Sequence, residues 1–177
     1  VYDYIQMKQL AEAKFNSGGT SIEYVPLSVD NKGSSVIVGF EDGVVRALTI
    51  SRLDKRHEEA DISLKQAFKP HSKTVTAMVF DGKGEILATG SLDGTVFFMY
   101  VSEVYDPIGF VKVPGPVRKL MWTPENFKQA AVLVVCDDGV VVEVGAPKPG
   151  DFDTSHSYEI KGLAVRTYTF KSIKSHL

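Results

Sequence analysis

The chain has 177 residues, 44% of them hydrophobic and 24% charged, a balance that fits a globular fold with a sizeable core. A formal charge of −2 and a pI near 6.1 speak against nucleic acid, whose backbone calls for a basic stripe. The single cysteine, Cys136, excludes an internal disulfide. No apolar run approaches the roughly 18 residues of a membrane span, so the expectation is a cytoplasmic chain without membrane partners.

In chain order, residues 1–14 read as the end of a preceding unit and a linker. Val1-Tyr2-Asp3 looks like the close of a third strand, and Ile5 to Lys14 fits a helix and a strand equally well. Residues 15–70 then offer a strand from Ser21 to Val29, a hairpin from Val36 to Val45 turning at Asp42-Gly43, and a strand from Ile62 to Phe68. A charged excursion, Ser51 to Asp61, precedes that last strand. Residues 71–114 repeat the order, with Thr74 to Phe80, a hairpin from Ile86 to Val96 turning at Asp93-Gly94, and Pro107 to Val113. Residues 115–161 repeat it again, with Pro116 to Trp122, a hairpin from Val132 to Val141 turning at Asp138-Gly139, an irregular excursion from Gly145 to Ser155, and Ser157 to Lys161. Residues 162–177 alternate from Val165 to Phe170, and read either as one more strand or as an exit segment in solvent.

The three Asp-Gly corners carry this reading. A tight hairpin needs positive φ at its centre, which Gly adopts freely and Asp tolerates. The runs on either side are continuously apolar, as strands buried on both faces are. The corners begin at 42, 93 and 138, intervals of 51 and 45 residues. Four short strands recurring near that period describe propeller blades. The fold class is therefore all-β, a partial propeller of about three four-stranded blades with the ends of neighbouring blades. Closure takes four to eight blades, so the chain is expected to be an excerpt of a longer one or to be completed by a partner.

The middle unit resembles the WD-repeat family. The strings His71-Ser72-Lys73-Thr74-Val75-Thr76-Ala77-Met78-Val79-Phe80 and Leu87-Ala88-Thr89-Gly90-Ser91-Leu92-Asp93-Gly94-Thr95-Val96 carry the resemblance. It implies a hydrogen-bonded set of His71, Thr89 and Asp93 that ties the blade together. The family's Trp-Asp ending is replaced by Met99-Tyr100, so the indole partner is missing. Longer strings are similar to a family of large axonemal WD-repeat proteins of cilia and flagella, in the late blades of a second propeller. They are Ala13 to Thr20, Phe68 to His71, Pro107 to Val117 and Tyr168 to Ser175. This resemblance implies a scaffold tethering inner-arm dynein heads to doublet microtubules. Its partners would be a related WD-repeat ciliary protein, inner-arm dynein and axonemal microtubule-associated proteins.

The residues offer no chemistry to set beside that. His57, His71, His156 and His176 have no Cys or second His at metal-ligand spacing. Thr89, His71 and Asp93 resemble a triad in composition, but Thr89 falls inside a hairpin with no oxyanion donors implied. Glu41-Asp42 and Asp137-Asp138 are adjacent on strands, so each pair points to opposite faces. The expectation is no catalytic residue, no cofactor and no metal, with the partner-binding residues undetermined. A scaffold in another intracellular assembly is the alternative, and an enzyme framed on a propeller is the weaker third.

Overall fold

A computed structural model describes residues 1–51, 59–148, 158–163 and 165–169. The structure is built from three four-stranded antiparallel sheets preceded by a small hairpin of β1 (Tyr2–Asp3) and β2 (Lys8–Gln9). The first blade runs β3 (Gly19–Tyr24), β4 (Ser35–Phe40), β5 (Val45–Ser51) and β6 (Asp61–Phe68). The middle blade runs β7 (Val75–Phe80), β8 (Ile86–Ser91), β9 (Thr95–Val101) and β10 (Tyr105–Lys112), and the last runs β11 (Val117–Trp122), β12 (Ala131–Cys136), β13 (Val140–Gly145) and β14 (Val165–Thr169). The fold is all-β and its blades are those of a propeller, left unclosed. Residues 5–14 form no helix; Lys8 and Gln9 pair with Asp3 and Tyr2 instead.

The fourth strand of the last blade corrects the reading of the sequence. Val165–Thr169 pairs with Val140–Val144, whereas the stretch ending at Lys161 leaves its own blade and meets β10 of the middle one. Both stretches alternate locally, and only long-range pairing chooses between them. The excursions from Ser51 and from Gly145, the tail beyond Thr169, and His57, His156 and His176 fall largely or wholly outside the described residues.

Each predicted corner is a bend between the second and third strand of its blade. Gly43, Gly94 and Gly139 have φ of +81°, +78° and +72°, values that only Gly adopts without cost. At the last corner, Asp137–Gly139 form a single 3-10 turn.

The middle blade is covered on both faces, which is why its strands read as unbroken apolar runs. Leu87, Phe97 and Met99 point, with Val75, into a core shared with Ile37 and Val45 of the first blade. Ala88, Val96 and Phe98 point the other way, into a core shared with Val117, Val132, Val134 and Val142. Burying each of these larger side chains contributes about 1.5–3 kcal/mol. Trp122 closes the second junction, packed edge-on against Phe98 with its indole donating to Val79 O at 3.2 Å.

The two junctions are built alike on the inner strands. Gly39 and Gly90 leave room for the side chain of the next blade: a Cβ on Gly39 would lie 2.6 Å from Val75 Cγ1, and one on Gly90 would lie 2.5 Å from Val117 Cγ1. Beside each socket, the register of the inner strand skips one residue, Thr20 in β3 and Thr76 in β7. The freed hydroxyls donate across the junction, Thr20 to Val75 O at 2.6 Å and Thr76 to Val117 O at 2.7 Å. Near the rim Gln66 adds a second tie, donating to Tyr105 O at 3.0 Å and accepting from Tyr105 N at 2.9 Å.

Gly90→Ala therefore forces the blades apart and is expected to cost about 1–3 kcal/mol, read as a lower urea midpoint. Gly115→Ala, whose Cβ would meet nothing closer than Cys136 Cβ at 3.9 Å, is the control and is expected to leave the midpoint almost unchanged.

Candidate functional site: a sealed histidine relay

His71 lies just before β7, and the Asp93-Gly94 corner brings the β8–β9 hairpin around it. The ring is 3% exposed, Thr89 and Ser91 are fully buried, and Phe97 packs edge-on against the imidazole. His71 Nε2 lies 2.8 Å from Thr89 Oγ1. His71 Nδ1 lies 2.9 Å from Thr95 Oγ1 but 3.5 Å from Asp93 Oδ2, too long for a strong hydrogen bond. Asp93 reaches the ring through Thr95, whose hydroxyl donates to Asp93 Oδ1 at 2.6 Å.

This fixes the protons. The Thr95 hydroxyl has one hydrogen and gives it to the carboxylate, so Thr95 Oγ1 accepts from His71 Nδ1–H. In the neutral ring Nε2 then accepts from Thr89. In the charged ring Nε2 donates to Thr89, whose own hydrogen turns towards Phe97 O at 3.4 Å. Met99 occupies the place of the indole and is 2% exposed, so it fills volume and donates nothing to Thr89.

The structure thus brings His71, Thr89 and Asp93 into one network, and adds Thr95, which sequence reasoning passed over. Asp93 also accepts from Thr95 N at 3.0 Å and from Ser72 N at 2.8 Å, and Ser91 donates to Lys73 O at 3.0 Å. Burial alone would raise the Asp93 carboxyl. The nearby His71 ring and the hydrogen bonds from Thr95 and the Ser72 amide outweigh it, and the group sits far below the usual carboxylate range. At the first corner Asp42 makes the same local bond, accepting from Val44 N at 3.1 Å, but it has no histidine to hold. At the last corner Asp137 pairs with Arg118 through two contacts, the longer being 3.0 Å.

A Thr, a His and an Asp in sequence would suit acyl transfer only if the hydroxyl met a substrate. Thr89 has no exposed surface, so the network is a tie between loop and hairpin. Cys136 is buried, and burial pushes its thiol up, away from the thiolate that reacts. Among the described residues, no group of three or more His, Cys, Asp or Glu is placed to hold a metal ion.

A cleft of about 630 Å³ opens on the outer face of the first blade, lined by Tyr2, Phe15, Ile22, Tyr24, Val38 and Phe40 among others. Ile22 and Tyr24 are 65% and 72% exposed. Beside it the Arg46 guanidinium lies 4.2 Å from the Phe40 ring and 4.9 Å from Phe15, held by its charge against the two π faces.

The family described as "WD domain, G-beta repeat" matches residues 62–98. Over the whole chain the sequence is 39% identical to "Cilia- and flagella-associated protein 44" of Mus musculus, covering 10% of that protein. It is 28% identical to the protein of the same name in Chlamydomonas reinhardtii, over 89% of the chain and 10% of the relative. The chain thus spans about a tenth of the length of the curated relatives it matches. The crystal structure of Saccharomyces cerevisiae Sqt1 superposes with a TM-score of 0.59 at 14% identity, over 76% of this chain and 34% of that one, a likeness of fold alone.

Thr95→Val keeps the shape and removes the relay. It leaves Asp93 and His71 without their shared partner and is expected to cost about 1–3 kcal/mol, measured by urea unfolding. Because the folded Asp93 carboxyl titrates below the unfolded one, its stabilisation is complete above the unfolded pKa of about 4 and is lost as pH falls from there. The stability gap between the protein and Asp93→Asn is expected to be flat near neutrality and to close only below about pH 4. A gap that closed between pH 6 and 8 would remove Asp93 from the relay.

Proposed function

We propose that this stretch of WD-repeat propeller is a non-catalytic scaffold segment of the ciliary axoneme, and that the protein carrying it tethers inner-arm dynein heads to the doublet microtubule. The carrying observation is the 39% identity over the whole chain to the mouse cilia- and flagella-associated protein. A match that runs through blades, corners and connecting stretches alike exceeds what a shared propeller fold requires; Sqt1 keeps the fold at 14%.

The physical features support a scaffold. The middle blade is buried on both sides, the junctions are locked by backbone approach, and the network of His71 and Asp93 is sealed. Such a block holds its rim loops at constant separations, so partners bound to different loops keep a defined spacing. The partners that follow from this reading are inner-arm dynein, a related WD-repeat ciliary protein and axonemal microtubule-associated proteins.

Fractionation of cilia expressing the tagged full-length protein tests the reading. The protein is expected to stay with the axoneme after detergent extraction, and cross-linking is expected to recover inner-arm dynein heavy chain from residues of this segment or its neighbours. Release with the detergent-soluble matrix would sink the axonemal assignment and leave a scaffold of another assembly. Retention without any dynein cross-link would sink the tether.

A further inference from the structure

The chain does something at the rim that four-stranded blades do not need. Residues 158–160, which stand between β13 and β14 in sequence, lie against the middle blade. There Glu159 bridges Phe110 in parallel along the outer edge of β10. Phe110 N donates to Tyr158 O at 2.7 Å, and Ile160 N donates to Phe110 O at 2.8 Å. Lys112 Nζ lies 3.2 Å from Glu159 Oε2, Tyr158 leans on the Phe97 ring at 6.3 Å, and Ile160, 7% exposed, enters the core of the second junction.

The edge is shaped for this. The register of β10 skips Ile108, and Gly109 follows with φ +150°. A Cβ there would lie 2.5 Å from Tyr158 O and 2.7 Å from Ile160 Cγ1. The outer strand of the first blade, β6, has a register skip at the corresponding place, Lys65, but Gln66 stands where Gly109 does, and its side chain is committed to Tyr105. The rim of the middle blade thus has a glycine where that of the first blade carries a committed side chain.

We infer that the outer edge of β10 is a strand-docking site for an extended aromatic–acidic–aliphatic segment, and that Tyr158-Glu159-Ile160 occupies it as a latch tying the last blade to the middle one. The latch also covers an edge that would otherwise offer free amides and carbonyls to another chain. β14 depends on it. That strand is exposed along its whole length, pairs in its sheet only with β13, and follows the latch closely in sequence, so opening the latch loosens both.

Hydrogen exchange on the full-length protein tests this with two variants. Gly109→Ala fills the clearance and Ile160→Ser removes the buried anchor while leaving Gly109 in place. Each is expected to speed exchange by about tenfold or more in peptides covering Tyr105–Lys112 and Tyr158–Thr169, with β8 and β9 unchanged. Unchanged exchange at both peptides in both variants would overturn the latch. So would acceleration that extends equally through β8 and β9 in both, because the segment would then be an ordinary part of the blade core.

Discussion

The contact on which the rest of the structure depends is the insertion of Val75 over Gly39 and of Val117 over Gly90. Backbone of one blade meets side chain of the next with no Cβ between them, so the blades approach as closely as sterics allow. The register skips at Thr20 and Thr76 belong to the same arrangement. A residue lifted out of the ladder turns its hydroxyl towards the neighbouring blade, and the carbonyl it reaches is that of the inserted valine. Knob, socket and hydrogen bond thus define one point at each junction. The larger apolar surfaces of Leu87, Phe97 and Phe98 then pack around points already placed.

The two outer faces of the block depart from this rule. Gly19 stands in β3 where β7 and β11 begin with Val75 and Val117, so the first blade presents no knob. On the last blade Val135 stands four residues before its corner glycine, where the other blades have Gly39 and Gly90, so the socket is filled. Arg118 replaces the threonine of the clasp and spends its charge on Asp137. In the first blade Arg46 lies over Phe40 with Nη1 buried and without a hydrogen-bond partner. The interior junctions are alike because one solution is repeated; the outer faces are individual.

How much of this could be read from the residues follows from what is local. The Asp-Gly corners were legible because a hairpin turn is decided by two residues and their φ values. In the first two blades the inner strand is parted from its hairpin by equally local turns, Asp30 to Gly33 and Asp81 to Gly84, which close on glycines with φ +61° and +78°. Thr95 was hidden because it follows the corner and looks like an ordinary strand start; only the fold shows its hydroxyl between His71 and Asp93. Thr20 and Thr76 were hidden for the same reason, since a polar residue in a strand usually signals an exposed position. The fourth strand of the last blade was misplaced because strand order depends on pairing across an excursion, which period-two alternation does not encode.

The match to the WD domain over residues 62–98 shows why stability in such a fold is shared. That stretch begins in β6, the outer strand of the first blade, and ends in β9, the third strand of the middle one. The unit repeated in sequence is therefore offset from the unit packed in space. Gln66 illustrates the consequence, since it lies in β6 and yet holds both backbone groups of Tyr105 at the start of β10. Latch and repeat work in the same sense. Each takes residues that belong by sequence to one unit and commits them to its neighbour, so the block resists bending at its junctions, where a stack of self-contained sheets would yield.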